Sequence, residues 1–206
     1  MKKMMIVVAL VAMSATAAFA QFSYGVKGGL NFSSVSNMDK LLGDNTKMKP
    51  SFYLGAFAEY KVNDFFGISP ELVYSRQGLA ADVEMEYLGF EEEGDVKTKY
   101  RLNYLNVTVL AKFYVLEGLS VDFGPQFGFL LSSKLYMEAG GEDETEDMKD
   151  TNKGFDLSVG LGLTYNFNQF FVQGRYNLGL TDVAKDNESD DKFRNNVIQF
   201  GVGYRF

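Results

Sequence analysis

The 206-residue chain contains no cysteine and no histidine. The first absence excludes disulfides and thiolate metal sites. The second removes the side chain that titrates nearest working pH, so neither a Ser–His–Asp nor a His–Asp arrangement exists. Long apolar runs are lacking too. The run Ile6–Met13 falls well short of the roughly 20 residues of a membrane helix, so any membrane crossing must be made by strands. Cations are in the minority, 20 Lys and Arg against 27 Asp and Glu, for a net charge of −7. That balance excludes nucleic acid as a partner, because displacing its counterions takes clustered Lys and Arg.

The first twenty residues have the order of a secretory address. Lys2 and Lys3 supply the positive start, Ile6–Met13 the apolar centre and Ala18-Phe19-Ala20 the small-x-small cleavage site. Residues 1–20 are therefore expected to be a cleaved signal peptide, with a single membrane anchor as the weaker alternative. Residues 21–206 then form one domain. Without Lys2 and Lys3 its formal charge is 18 − 27 = −9.

Within that domain, 21 glycines and 15% aromatic residues favour strands and turns over helices. Period-two alternation runs through it. From Phe155 to Phe167, Phe155, Leu157, Val159, Leu161, Leu163, Tyr165 and Phe167 share one face. Asp156, Ser158, Gly160, Gly162, Thr164 and Asn166 share the other. Strand side chains alternate between faces, so an apolar medium meets one side and a polar interior the other. Seven further segments read alike, starting near Phe22, Ser51, Phe65, Leu102, Leu119, Phe170 and Val197. Tight turns at Asn63-Asp64, Glu117-Gly118 and Asn168-Gln169 alternate with long polar connections over 34–50, 78–99, 138–153 and 182–191. Short turns on one side and long loops on the other are the pattern of an outer-membrane barrel. The fold class expected is all-β: an eight-stranded antiparallel up-and-down transmembrane β-barrel. Pro70 inside the third strand has no N–H to give, which predicts a bulge there.

Three segments also resemble a family. Phe22-Ser-Tyr-Gly-Val-Lys-Gly-Gly-Leu-Asn-Phe-Ser33 follows the Ala-x-Ala-Gln site directly, and Leu119–Phe129 and Phe200–Phe206 are similar in style. Together they resemble the PorT-like outer-membrane barrels of Bacteroidetes, over essentially the whole of residues 21–206. The resemblance implies an eight-stranded barrel in the bacterial outer membrane, contact with outer-membrane lipid and passage through the barrel-assembly machinery. Tyr204 and Phe206 resemble the C-terminal aromatic signal which that machinery reads. The family's namesake serves protein secretion, so an envelope or secretion partner is implied; no catalytic motif comes with the likeness.

On this register Lys27, Lys61, Lys112, Arg175 and Arg205 point into the lumen with Glu59, Glu71, Asp122 and Asp156. An eight-stranded barrel is only wide enough inside for side chains, and buried charges must be paired. The nine residues are expected to form an ion-paired polar core, with a narrow pore or proton path as the sharper alternative. Glu59 and Glu71 are the carboxylates to weigh for acid–base work, but salt bridging to Lys61 explains them more simply. The acidic stretches Glu142–Asp147 and Asp186–Asp191 are rich in oxygen ligands, yet neither has the spacing of a calcium loop. Both are expected to be solvated loops. Tyr24, Tyr60, Tyr165, Phe167, Phe170, Tyr204 and Phe206 are expected in an interfacial girdle. The inward glycines are expected to make room for long Lys and Arg chains.

The function expected is a non-enzymatic envelope component, with no cofactor and no metal, acting in protein secretion or surface contacts. A small transport barrel with a narrow ion or solute path is the alternative. A soluble lipid-binding barrel would need its apolar residues inside, and the alternation opposes it.

Overall fold

The computed structural model describes residues 21–36, 46–84, 95–139, 142–182 and 193–206. Nine strands build it: β1 (Phe22–Val35), β2 (Thr46–Lys61), β3 (Phe66–Glu84), β4 (Asp95–Leu116), β5 (Leu119–Ala139), β6 (Glu142–Asp147), β7 (Phe155–Phe167), β8 (Phe170–Gly179) and β9 (Asn195–Arg205). All neighbours pair antiparallel. The sheet order is β4-β3-β2-β1-β9-β8-β7-β5-β6, and β4 pairs again with β5. That pairing closes a ring of eight, β1 through β5 with β7, β8 and β9, and leaves β6 hanging from β5. Closure removes the unpaired edges that lipid would not tolerate.

β6 corrects one expectation. Glu142–Asp147 is a strand, not a solvated loop, and pairs with β5 from Lys134↔Asp147 to Ala139↔Glu142. β7 takes over lower down, from Phe129↔Phe155 to Leu119↔Tyr165. The two share one flank of β5 in succession. Thr145, Glu146 and Asp147 are exposed, so at that end of the strand the chain gains its backbone bonds while Glu146 and Asp147 keep their carboxylates in water. The hairpin of β3 and β4 likewise continues into the expected second loop, as far as Glu84↔Asp95. Glu91–Glu93 and Asp186–Asp191 lie outside the described residues.

Pro70 produces no bulge. The pairs Phe57↔Glu71 and Tyr60↔Ile68 keep one register across it. The Ala58 carbonyl, which this register places opposite Pro70, accepts the Ser69 hydroxyl at 2.9 Å instead of a backbone N–H. The irregularity between β2 and β3 falls higher, between Met48 and Tyr53.

The tight turns sit as expected. Asn63 Oδ1 accepts the N–H groups of Phe65 and Phe66 at 2.9 and 2.8 Å, an Asx-type closure. Gly118 has φ 77° and Asn168 φ 56°, the left-handed region. A β-branched residue at Gly118 is strained there, so Gly118→Val should cost about 1–3 kcal/mol. Chemical denaturation of the refolded barrel measures that loss.

The outward face is apolar, with Leu54 at 62% and Val202 at 61% exposure. The inward face is not purely polar. Tyr53, Phe57, Tyr104 and Phe171 are buried inside with Leu102, Leu110 and Leu130. Three of the rings stand opposite glycine on the neighbouring strand: Tyr53↔Gly29, Phe57↔Gly25 and Phe171↔Gly203. A Cβ at Gly203 would lie 2.1 Å from Phe171 Cζ, and one at Gly201 would lie 2.0 Å from the Tyr53 hydroxyl. Most inward glycines of β1 and β9 thus house aromatic rings. Gly160 and Gly162 on β7 do flank Arg175, whose side-chain carbons would lie 3.3 and 3.2 Å from added Cβ atoms.

Near the tight turns, rings form a continuous outward run. Centroid spacings are 6.4 Å for Phe22–Tyr24, 5.5 Å for Tyr24–Phe206 and 5.3 Å for Phe206–Tyr204. The run continues at 5.1 Å for Tyr204–Phe170, 6.2 Å for Phe170–Phe167 and 6.5 Å for Phe167–Tyr165. Such amphipathic and aromatic rings concentrate at the headgroup level of a bilayer.

Candidate functional site: the ion-paired lumen

The lumen charges are inward because each sits on the polar phase of its strand, two residues from the next inward position. Closing the ring then brings phases from distant strands together. Lys27 on β1, Glu71 on β3 and Arg175 on β8 meet in the middle of the lumen. Arg175 binds Glu71 through two parallel hydrogen bonds, Nη1 to Oε2 at 2.7 Å and Nη2 to Oε1 at 3.0 Å. Lys27 Nζ approaches Glu71 Oε2 to 2.6 Å and donates to Gln173 Oε1 at 3.4 Å. All three charged side chains are at most 4% exposed. A forked guanidinium–carboxylate pair fixes orientation as well as distance.

A second cluster lies nearer the tight turns. Glu59 on β2 accepts from Arg205 Nη2 at 3.1 Å on each oxygen and from the Tyr114 hydroxyl at 3.0 Å. Lys112 Nζ lies 3.2 Å from Glu59 and 3.7 Å from Asp122. Asp122 also accepts the hydroxyls of Ser120 and Thr164, at 2.7 and 2.5 Å. Four cations face three acids in these two clusters, and every acid has at least one cation. Glu59 and Glu71 belong to different clusters, so these two carboxylates do not form a pair.

Two of the nine residues stand apart. Lys61 is the last residue of β2; its side chain is 44% exposed and reaches Asp64 at 3.6 Å across the turn, over the Tyr114 ring. Its place at the barrel mouth, rather than its phase, keeps it out of the network. Asp156 is buried near the far end of the lumen and accepts the Thr181 hydroxyl at 2.7 Å.

Above the clusters, neutral amides fill the lumen. Gln199 donates to Asn31 at 2.8 Å, Asn177 to Gln199 at 3.0 Å and Asn31 to Ser75 at 2.9 Å. Asn195 donates to Gln77, whose own amide donates to Ser75 at 3.0 Å. Sequence reasoning missed Tyr114 as a lumen donor and Tyr104 as lumen filling. Counting by two along β4 from Lys112 would have found both, since tyrosine hides its phase by suiting either face.

A family model described as an outer membrane protein beta-barrel domain matches residues 17–185. No curated protein matches. Among solved structures, Ail, the attachment invasion locus protein of Yersinia pestis, is similar at 18% identity and a TM-score of 0.53, covering 90% of this chain and 99% of that one. The same protein in complex with the heparin analogue sucrose octasulfate is similar at 19% identity and a TM-score of 0.51, over 90% and 99% of the two chains. Neisserial surface protein A follows at 15% identity and a TM-score of 0.51, over 90% and 97%. At these identities the likeness is one of fold.

Proposed function

Since the chain belongs to the outer membrane protein beta-barrel domain family, whose place is the bacterial outer membrane, we propose that it is a non-enzymatic envelope protein that presents a raised strand surface to a partner. The carrying observation is the unequal height of the wall. β4 and β5 have 22 and 21 residues, about twice the 9–11 residues of a membrane crossing. β8 and β9 have 10 and 11. The excess of β3, β4 and β5, joined by β6, stands as a sheet beyond the crossing. Five of the six residues of β6 are acidic, which suits a basic partner surface. A role in secretion rests on the PorT-like segments Phe22–Ser33, Leu119–Phe129 and Phe200–Phe206. The same reading gives residues 1–20 the role of a cleaved signal peptide, and Tyr204 and Phe206 that of the assembly signal. The two ion-paired clusters serve as a structural plug.

Cross-linking on intact cells, followed by recovery of the tagged protein, tests this function. One abundant envelope partner, lost when Glu142, Glu144 and Glu146 are changed to lysine, is the expected result. Recovery of the barrel alone would overturn it.

The transport alternative has a separate test. Because both clusters block the lumen, the protein in a planar bilayer should carry no measurable current. A steady current that Arg175→Ala abolishes would replace the plug with a conducting path.

A further inference from the structure

The outward face of β3 is apolar from Ile68 to Leu72, passes Tyr74 and reaches a charge at Arg76. β4 does the same from Phe113 to Leu105, passes Asn103 and reaches Arg101. On each strand the change comes roughly one crossing length from the tight-turn end. Both arginines are half-buried along the wall. Arg101 stands opposite Gly78 on one side and opposite Lys134 on the other. Like charges opposed across a strand pair are destabilising. Among the described residues, neither arginine has a carboxylate partner. On the other side of Lys134, Asp147 of β6 is its direct cross-strand partner, but no ion pair joins the two side chains.

The surroundings form a receptacle. Backbone pairing between β2 and β3 lapses between Met48 and Tyr53. The Arg76 carbonyl there accepts Ser51 Oγ at 2.6 Å and Asn31 Nδ2 at 2.8 Å. The opened seam is a groove of about 210 Å³, lined by Pro50, Phe52, Arg76, Gly78, Tyr100 and Arg101 among others. Arg101 Nη1 donates to the Tyr136 hydroxyl at 3.1 Å, and its guanidinium lies 4.5 Å from that ring's centroid. Arg76 lies 6.0 Å from the centroid of Phe52. An aromatic ring thus lies within cation–π reach of each guanidinium, and a guanidinium has five N–H donors, more than the bond to Tyr136 uses.

We propose that Arg76 and Arg101, with Lys134 beside them, bind the phosphate of an outer-leaflet lipid headgroup, with Phe52 and the opened seam taking the adjoining apolar part. The site rests on the reading of the outward face as lipid-facing. Guanidinium forks match phosphate geometry, their level is that of a headgroup, and an anion there relieves the Arg101–Lys134 repulsion.

The test uses barrel purified from membranes, delipidated in detergent and titrated with bis-phosphorylated lipid A, with the same lipid stripped of its phosphates, and with inorganic phosphate. Saturable binding of the phosphorylated lipid is expected, with little affinity for the stripped form. The double variant Arg76→Gln/Arg101→Gln should weaken it about tenfold or more. Lys134→Gln, exposed on the wall, should weaken it less, and Lys61→Gln at the opposite mouth should leave it unchanged. Equal binding of both lipids, or unaltered affinity in the double variant, would overturn the site. Inorganic phosphate competing as strongly as the lipid would overturn the lipid as its source. Flotation with phospholipid vesicles checks the premise separately: a barrel that never enters vesicles overturns the lipid-facing reading, whereas one that enters them without phosphate preference overturns the site alone.

Discussion

Glu71→Ala should be among the most destabilising single substitutions in the lumen, lowering unfolding stability by about 3–5 kcal/mol. Among the described residues, Glu71 is the sole carboxylate bound by Arg175 and Lys27. Removing it leaves two buried cations with no counter-charge in a space filled by side chains. Breaking one partner of a buried pair costs far more than deleting the whole set, because desolvation of the survivors is then uncompensated. The combined variant Lys27→Met/Glu71→Met/Arg175→Met should therefore lose much less than Glu71→Ala, although it changes three residues. Lys61→Ala is the control; its pair with Asp64 is exposed, and such pairs contribute only about 0–1 kcal/mol. Urea titration of the barrel folded into lipid vesicles reads all three. An unmoved midpoint in Glu71→Ala would mean that water solvates the two cations, and the plug would have to be abandoned in favour of a wet lumen.

Gly29→Val should prevent the barrel from closing, while Gly28→Val should fold. The two glycines are adjacent on β1 but point to opposite faces. A Cβ on Gly29 would lie 2.1 Å from the Phe200 carbonyl oxygen and 2.5 Å from Gly201 Cα. These are backbone atoms of β9, the strand that closes the ring against β1, so no rotamer change relieves the clash. Widening the β1–β9 seam would break its ladder and displace Tyr53, which stands opposite Gly29. A Cβ on Gly28 would meet the Tyr53 carbonyl oxygen at 3.2 Å and a Leu54 methyl at 3.4 Å. Those contacts need shifts of a few tenths of an ångström on the open outer face. Overpacking a filled interior costs about 1–3 kcal/mol or more; at the closing seam the loss should be of the folded state itself. Folding yield, read as the heat-sensitive mobility shift of folded barrels on a gel, should be near zero for Gly29→Val and near the parent for Gly28→Val. Equal yields would show that the seam yields without cost.

The candidate site was only partly legible before the fold. Period-two phase placed Lys27, Glu71 and Arg175 on inward faces, because strand geometry leaves two choices and lipid selects one. It could not say that Glu71 would take Arg175, 104 residues away, in place of Lys61. That pairing depends on how far each strand is displaced along its neighbour, and the displacements accumulate around the ring. The housing of the interior rings was hidden for a related reason. Phe57 and Phe171 are apolar yet buried inside the barrel. They turn inward because their phase matches that of Glu59 and Gln173, and because Gly25 and Gly203 opposite leave them space.

The acidic stretch Glu142–Asp147 shows the limit from the other side. Composition suited it to water, where Thr145, Glu146 and Asp147 do lie, but could not make it a strand, because its pairing is supplied by a β5 that runs on past the crossing. What the amino-acid order determined by itself was therefore local: strand phase, tight turns, the lack of catalytic histidine, and a barrel with its apolar face outward. What only the closed tertiary structure decided was non-local: which lumen charges meet, where aromatic rings find glycine, and where Arg76 and Arg101 come to share one patch of wall. Phase repeats every two residues and can be counted along the chain; register between strands distant in sequence is set only when the ring closes.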